Sequence, residues 1–483
     1  MKPLLFPVAP LAIALAAAFA AAPASAQTPK QLAAELREVR AEMQQLRREL
    51  EAVKLREREA ATAAAAASAA PVPSVGSANA SGANPSMSAT RTAASNASPP
   101  PAPVGAADAN ATQAASGQTQ MSAANSADTD TAAPRANFFG YGEFSYSRPR
   151  RNAADAIATV RRGVLGWAYS FDDRTRFAAE LEVENAVVSA DDRGEVALEQ
   201  FYLERDLTQR ISARAGLFIL PIGYLNEVHE PTRYYGVTRN FVETAIIPTT
   251  WRELGLGFRG TTQSGLRWDA GAVTSFDLTK WDASSTEGRD FPLASIHQEG
   301  QLAKARNIAF YGALNYNGIP GFNVGGSVFT GGVGQKQPNY AGADARVTLG
   351  ELHTRWQPGK WDLSALVARG GFSDIAGLNA TFAGQTTPIP SRFGGWYGQA
   401  AYRLWQSGDY ALNPFVRYER FNTALGYPGL PQGLAPALEP DMRVVTLGAS
   451  FYLHPQVVLK ADYQTFLGNH QFDRFNVGLG FHF

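Results

Sequence analysis

The side chains able to do chemistry gather in one stretch, LFILPIGYLNEVHEPTRYYGVTRNFVETAIIPTTWRELGLG, residues 217–257. It holds Glu227, Glu230 and Glu243 beside Arg233, Arg239 and Arg252, interleaved with Tyr224, Tyr234, Tyr235, Phe241 and Trp251. Such a stretch can pack through its aromatic residues while presenting charges of both signs. The six histidines, His229, His297, His353, His454, His470 and His482, lack metal-ligand spacing, and none is followed by Glu-x-x-His. No Gly-x-Ser-x-Gly elbow supplies a nucleophile. Gly331-Gly332-Val333-Gly334 lacks the Lys-Ser/Thr of a phosphate cradle and reads as a flexible loop. The chain has no cysteine, which excludes disulfides and thiolate metal sites. No catalytic residue, cofactor or metal is therefore expected.

Strands must position this stretch. Before it, Ile211, Ala213, Ala215 and Leu217 alternate with Ser212, Arg214 and Gly216, the period of a strand with two unlike faces. After it, Leu254 to Arg259 starts the next strand. About thirty-five residues between adjacent strands is far longer than an ordinary connection, and loops of that length are functional or disordered. The aromatic residues in 219–252 argue against disorder, and the stretch is expected to fold into a barrel and narrow it.

The rest of the chain falls into four parts. Lys2, an apolar run over 4–22 and Ala24-Ser25-Ala26 mark residues 1–26 as a signal peptide; Pro7, Pro10 and the cleavage pattern disfavour the alternative, a retained membrane anchor. In 27–59, Leu36, Met43 and Leu50 at a with Leu32, Val39, Leu46 and Val53 at d form a heptad seam. It predicts a short coiled coil leaning toward three chains, or else one amphipathic helix docked elsewhere. Residues 60–135, rich in Ala, Ser and Pro, are a linker that cannot bury enough apolar surface to fold. Seventy-odd such residues reach roughly 50 Å.

Between 136 and 483 we count sixteen strand-like segments, the first at 138–147 and the last at 473–483. Tight turns such as Asp172-Asp173-Arg174 and Pro358-Gly359-Lys360 alternate with long loops such as 276–304, 371–394 and 422–442, the pattern of outer-membrane barrels. Phe177, Ala179, Leu181 and Val183 share one face against Glu180, Glu182 and Glu184 on the other; Leu459, Ala461 and Tyr463 oppose Lys460 and Asp462. Arg or Lys facing lipid at the midplane costs roughly 2–4 kcal/mol, so the charged faces belong in the lumen. Tyr146, Tyr169, Trp361, Trp396 and Tyr452 fit interfacial girdles. The expected fold is all-β: an antiparallel transmembrane barrel of about 16 strands.

The last strand alternates Phe475, Val477, Leu479, Phe481 and Phe483 with Asn476, Gly478, Gly480 and His482, and its terminal aromatic resembles the recognition signal of bacterial outer-membrane barrels. Together with ARAGLFILPIGYLNEVHEP and RNFVETAIIPTTWRELGLGFRG, it makes the chain from Phe138 to Phe483 resemble Gram-negative porins of the phosphate-selective O/P group. The resemblance implies a homotrimer in outer-membrane lipid and lipopolysaccharide, the coil in the periplasm and 219–252 as the inward loop. It further implies passive diffusion of small hydrophilic solutes or anions, without enzymatic activity. Pore residues would be Glu227, Glu230, Arg233, Arg239, Glu243, Arg252, Arg214 and Arg417, with Arg161, Arg162 and Arg420 as further basic candidates. Phosphate selectivity would need a positive path, yet 136–483 has 32 basic against 33 acidic residues, a net of −1. The whole chain, with 43 of each, gives no field suited to nucleic acid. Asp191, Asp192 and Glu195 could hold a divalent cation of lipopolysaccharide. The rival reading is a barrel that anchors the coil and linker to periplasmic or cell-wall partners.

Overall fold

A computed structural model describes residues 136–186 and 194–483; the expected leader, coil and linker, and Asp191 and Asp192, lie outside the described residues. The strands are β1 (Ala136–Pro149), β2 (Ile157–Ser170), β3 (Thr175–Glu184), β4 (Glu195–Asp206), β5 (Ile211–Ile219), β6 (Arg252–Thr261), β7 (Leu266–Thr274), β8 (Ile308–Ile319) and β9 (Phe322–Gly332). They continue with β10 (Arg346–Trp356), β11 (Trp361–Ser373), β12 (Phe393–Tyr402), β13 (Trp405–Ser407), β14 (Tyr410–Asn422), β15 (Met442–His454), β16 (Val457–Phe466) and β17 (Arg474–His482). The three-residue β13 extends β12 along the same partner, β14, so the wall has sixteen spans. Each pairs antiparallel with its neighbours, and β1 closes on β17 from Tyr141↔His482 to Pro149↔Arg474. Gly140 and Phe483 exchange both backbone hydrogen bonds, at 3.1 and 2.9 Å, so the chain's last residue takes part in the closure.

A strand's side chains alternate in and out, and the sequence alternation is matched by burial. Leu352 is 67% exposed on the outer face while its neighbour Glu351 is 4% exposed. Lys460, Asp462 and Gln464 are buried inside β16. Tyr146, Tyr169, Trp361 and Trp396 face outward. Two sequence expectations fail on this same parity. Tyr452 has the phase of buried Thr446 and Ser450, so it points inward and donates to the Thr232 carbonyl at 3.1 Å. Arg420 has the phase of exposed Val416 and pairs outside with Asp441 at 2.6 Å.

Of the four register shifts along the wall, two bear on the interior. Opposite β1, residue 161 is extra in β2, and Arg162 turns inward while Arg161 stays half-exposed. Opposite β3, residue 199 is extra in β4, which buries the Glu199 side chain completely. Gly216 sits at φ +133°, and a Cβ there would lie 2.4 Å from the Phe201 carbonyl, so only glycine suits that approach to β4.

Beyond the strand ends on the long-loop side, the connections pack on one another. Gly331 and Gly332 are the end of β9, and Val333 is fully buried, so the expected flexible loop is part of this core. Trp251 lies 4.6 Å from Phe329 and 5.1 Å from Phe276 between ring centroids, within an apolar cluster including Leu278, Leu293, Ile296, Ile375 and Ile389. Trp281 donates its indole N–H to the Thr387 carbonyl, joining loops 275–307 and 374–392. Leu352→Arg, placed outward in mid-β10, is expected to lower the unfolding free energy in bilayers by about 2–4 kcal/mol. Denaturant titration in lipid vesicles measures this.

Candidate functional site

Residues 220–251 leave β5, cross to the far wall and return to β6, held at each stage by inward-facing side chains. Near their start, Glu227 bridges Arg259, at 2.6 Å, and Arg267 of β6 and β7. Asp269 takes Arg259 at 2.6 Å, Arg267 at 3.0 Å and Arg214 at 3.3 Å, so three arginines share two acids. His229 contacts β1 and β4 through Tyr141 and Glu199. The Arg162 guanidinium donates to the His229 carbonyl at 2.6 Å. At the middle, Tyr234 donates to Glu143 at 2.7 Å, and Lys460 reaches the Tyr234 carbonyl at 2.8 Å while lying over its ring. Asp462 accepts the Val237 N–H at 2.6 Å and Glu419 accepts the Phe241 N–H at 2.5 Å. Each of these is a charged group bound to a neutral donor or acceptor, worth about 1.5–3 kcal/mol.

The sequence candidates divide by position. Arg214, Glu227, Glu230 and Arg233 line a cavity of about 1030 Å³ that opens among the tight turns, with Arg174, Arg176, Glu204 and Arg210 at its mouth. Arg233 and Arg417 also line a pocket of about 20 Å³ beyond the loop, beside Tyr235, Arg355 and Asp362. Arg233 thus stands between the two spaces. Arg239, Glu243 and Arg252 are buried within the packing. Arg239 donates to Thr250, Arg252 pairs with Glu299 at 3.3 Å, and Glu243 accepts from Tyr224, Leu225, Asn240 and Tyr397. Burial pushes the Glu243 carboxyl above its ordinary range despite those donors. For Glu227, burial acts in the same direction, but Arg267 and Arg259 outweigh it and hold the carboxyl low.

Reasoning from one loop missed the partners it meets, among them Glu143, Arg259, Asp269 and Glu419. Their common mark is a charge on the inward phase of a strand, the same mark that singled out Lys460 and Asp462.

A closed antiparallel barrel of sixteen spans, with an apolar outer face and charges within, is the porin fold. The structure of Salmonella typhi OmpF in complex with daunomycin superposes with a TM-score of 0.51 at 12% identity, covering 72% of this chain and 97% of that one. The outer membrane channel DcaP of Acinetobacter baumannii gives 0.46 at 10% identity, covering 72% and 97%. No family model matches the chain. It belongs to the same family as an uncharacterized protein of Aquifex aeolicus (strain VF5), which is 30% identical over 333 residues, 67% of this chain and 74% of the relative.

A lowered carboxyl stabilises the fold above its unfolded-state value, about 4.3, and that contribution is lost as pH falls through the folded value. The Glu227 clamp is therefore expected to release below about pH 4. Proteolysis of the loop should accelerate there in the parent, whereas Glu227→Gln should be cleaved readily at neutral pH with a flatter pH profile. Separately, Asp462→Ala removes the acceptor of the Val237 N–H and is expected to speed its hydrogen exchange roughly 10–100-fold.

Proposed function

We propose that this chain is an outer-membrane porin, a passive channel for small hydrophilic solutes or ions, with residues 219–252 as its constriction. The observation that carries this reading is the placement of the loop between the cavity of about 1030 Å³ and the smaller pocket, with Arg233 at both. Solutes entering from the turn side meet arginines and acids that are mostly paired, so the field they cross is local and transverse and not of one sign. Selection then works by size at the loop and by charge at Arg233 and Arg417. No covalent step is involved. The heptad seam at 32–53 would assemble three such chains on the periplasmic side of the membrane.

The many ties of the loop, together with the apolar packing beyond the strand ends, favour one second reading: a closed barrel that anchors the coil and linker to periplasmic or cell-wall partners. Single-channel recording in planar bilayers separates the two. The porin reading expects conductance steps in groups of three, and a larger step in Asp462→Ala, whose loop is held less tightly. Arg233→Glu should move the reversal potential under a salt gradient toward cation preference. A folded, heat-modifiable barrel that never conducts would leave the anchor reading standing.

A further inference from the structure

Glu180 of β3, Glu199 of β4 and His229 of the loop are all buried, and one ligand atom from each lies within 4.8 Å of the others. None of the three is near the others in the chain, so no spacing rule could have found them.

The cluster carries more negative charge than its surroundings answer. Glu182 of β3 and Glu230 of the loop stand beside it. Among the described residues, Glu180 Oε2, Glu182 Oε1, Glu199 Oε1 and Glu230 Oε2 have no hydrogen-bond partner. Glu180 is 9% exposed, Glu182 5% and Glu199 0%. Arg162 acts on Glu199 and Glu182 through its charge, but its hydrogen bonds go to Glu143, the His229 carbonyl and Tyr141. Buried carboxylates without a countercharge are costly, and coordinating a cation is one way to answer them.

His229 is posed as a ligand. Its Nδ1 lies 2.8 Å from the Asn226 carbonyl oxygen, which can only accept, so Nδ1 carries a proton. That leaves Nε2 turned toward the cluster, 3.7 Å from Glu199 Oε1. The Tyr141 hydroxyl donates to Glu199 Oε2 at 2.8 Å and lies 2.7 Å from Nε2, a contact that an ion bound at Nε2 would replace. A ring fixed through its second nitrogen by a backbone carbonyl is the usual support of a metal-bound histidine. The cavity among the turns reaches Glu180, His229 and Glu230, which provides a route for an ion.

We propose that Glu180, Glu199 and His229 bind a divalent first-row transition ion that fastens the inward loop to β3 and β4. One imidazole with carboxylates suits Zn²⁺, Mn²⁺ or Fe²⁺, whereas Ca²⁺ and Mg²⁺ prefer oxygen ligands alone. Such ions require ligand atoms at roughly 2.0–2.2 Å, so the side chains must draw together on binding.

The test uses the full-length refolded protein, stripped with a chelator and titrated calorimetrically with Zn²⁺ at neutral pH. One ion per chain is expected, along with a higher melting temperature on binding. Glu180→Gln, which keeps the side-chain shape, should weaken binding roughly tenfold or more and remove the thermal shift. With Mn²⁺ in place of Zn²⁺, pulsed electron paramagnetic resonance of the unmutated protein should detect coupling to a single imidazole nitrogen. Absence of Zn²⁺ binding, equal affinity in Glu180→Gln, or a Mn²⁺ spectrum without nitrogen coupling would each overturn the proposal. In that case the carboxylates share protons instead. None of these outcomes depends on whether the barrel conducts.

Discussion

Lipid offers no hydrogen-bond partner to a backbone, so a strand that crosses a membrane must pair on both edges. Closing β1 onto β17 meets that requirement, and much else in the structure is its consequence. Once the sheet is a cylinder, side-chain parity decides which groups face hydrocarbon and which face the interior. Apolar residues can serve the outer face alone. Charges are driven inward, where they sit close together in a confined and partly dry space and must find one another.

Enclosure also explains the character of the inward loop. Several of its ties are single charges meeting a backbone N–H or carbonyl: Asp462 with Val237, Glu419 with Phe241, Lys460 with Tyr234, Arg162 with His229. Such contacts specify the course of the backbone without demanding particular loop side chains. Around Glu227 the balance is different, because three arginines are held by two acids and all of them but Glu227 sit on strands of fixed geometry. That end is a rigid clamp. The middle rests on separate bonds to β1, β14 and β16.

Much of the wall was legible in the sequence, because a strand whose faces meet lipid and water writes a period of two into its residues. All sixteen spans coincide with predicted segments, most within a few residues at either end. Parity was misapplied only where it was not used at all: Tyr452 was placed by its nearness to a strand end, and Arg420 by its charge. The interior was harder to read. Glu180 and Glu199 lie on neighbouring strands, but a single extra residue in β4 decides that Glu199 joins Glu180 inside, and bulges leave little trace in composition. Likewise Arg239, Glu243 and Arg252 look like free charges in a list of residues, and burial against Thr250, Glu299 and the loop's own amides is a tertiary fact.

The positions of the loop's partners impose an order on assembly. Val237 and Asp462 are 225 residues apart, and Tyr234 donates across 91 residues to Glu143 of the first strand. Contacts of such long range form only after most of the chain is in place. Until the loop reaches them, Asp462 holds only Asn476 of the next strand, Lys460 lacks the Tyr234 carbonyl, and Glu143 lacks the Tyr234 hydroxyl. The loop therefore settles last, and its settling is a record, kept in hydrogen bonds, that the first and last strands have met.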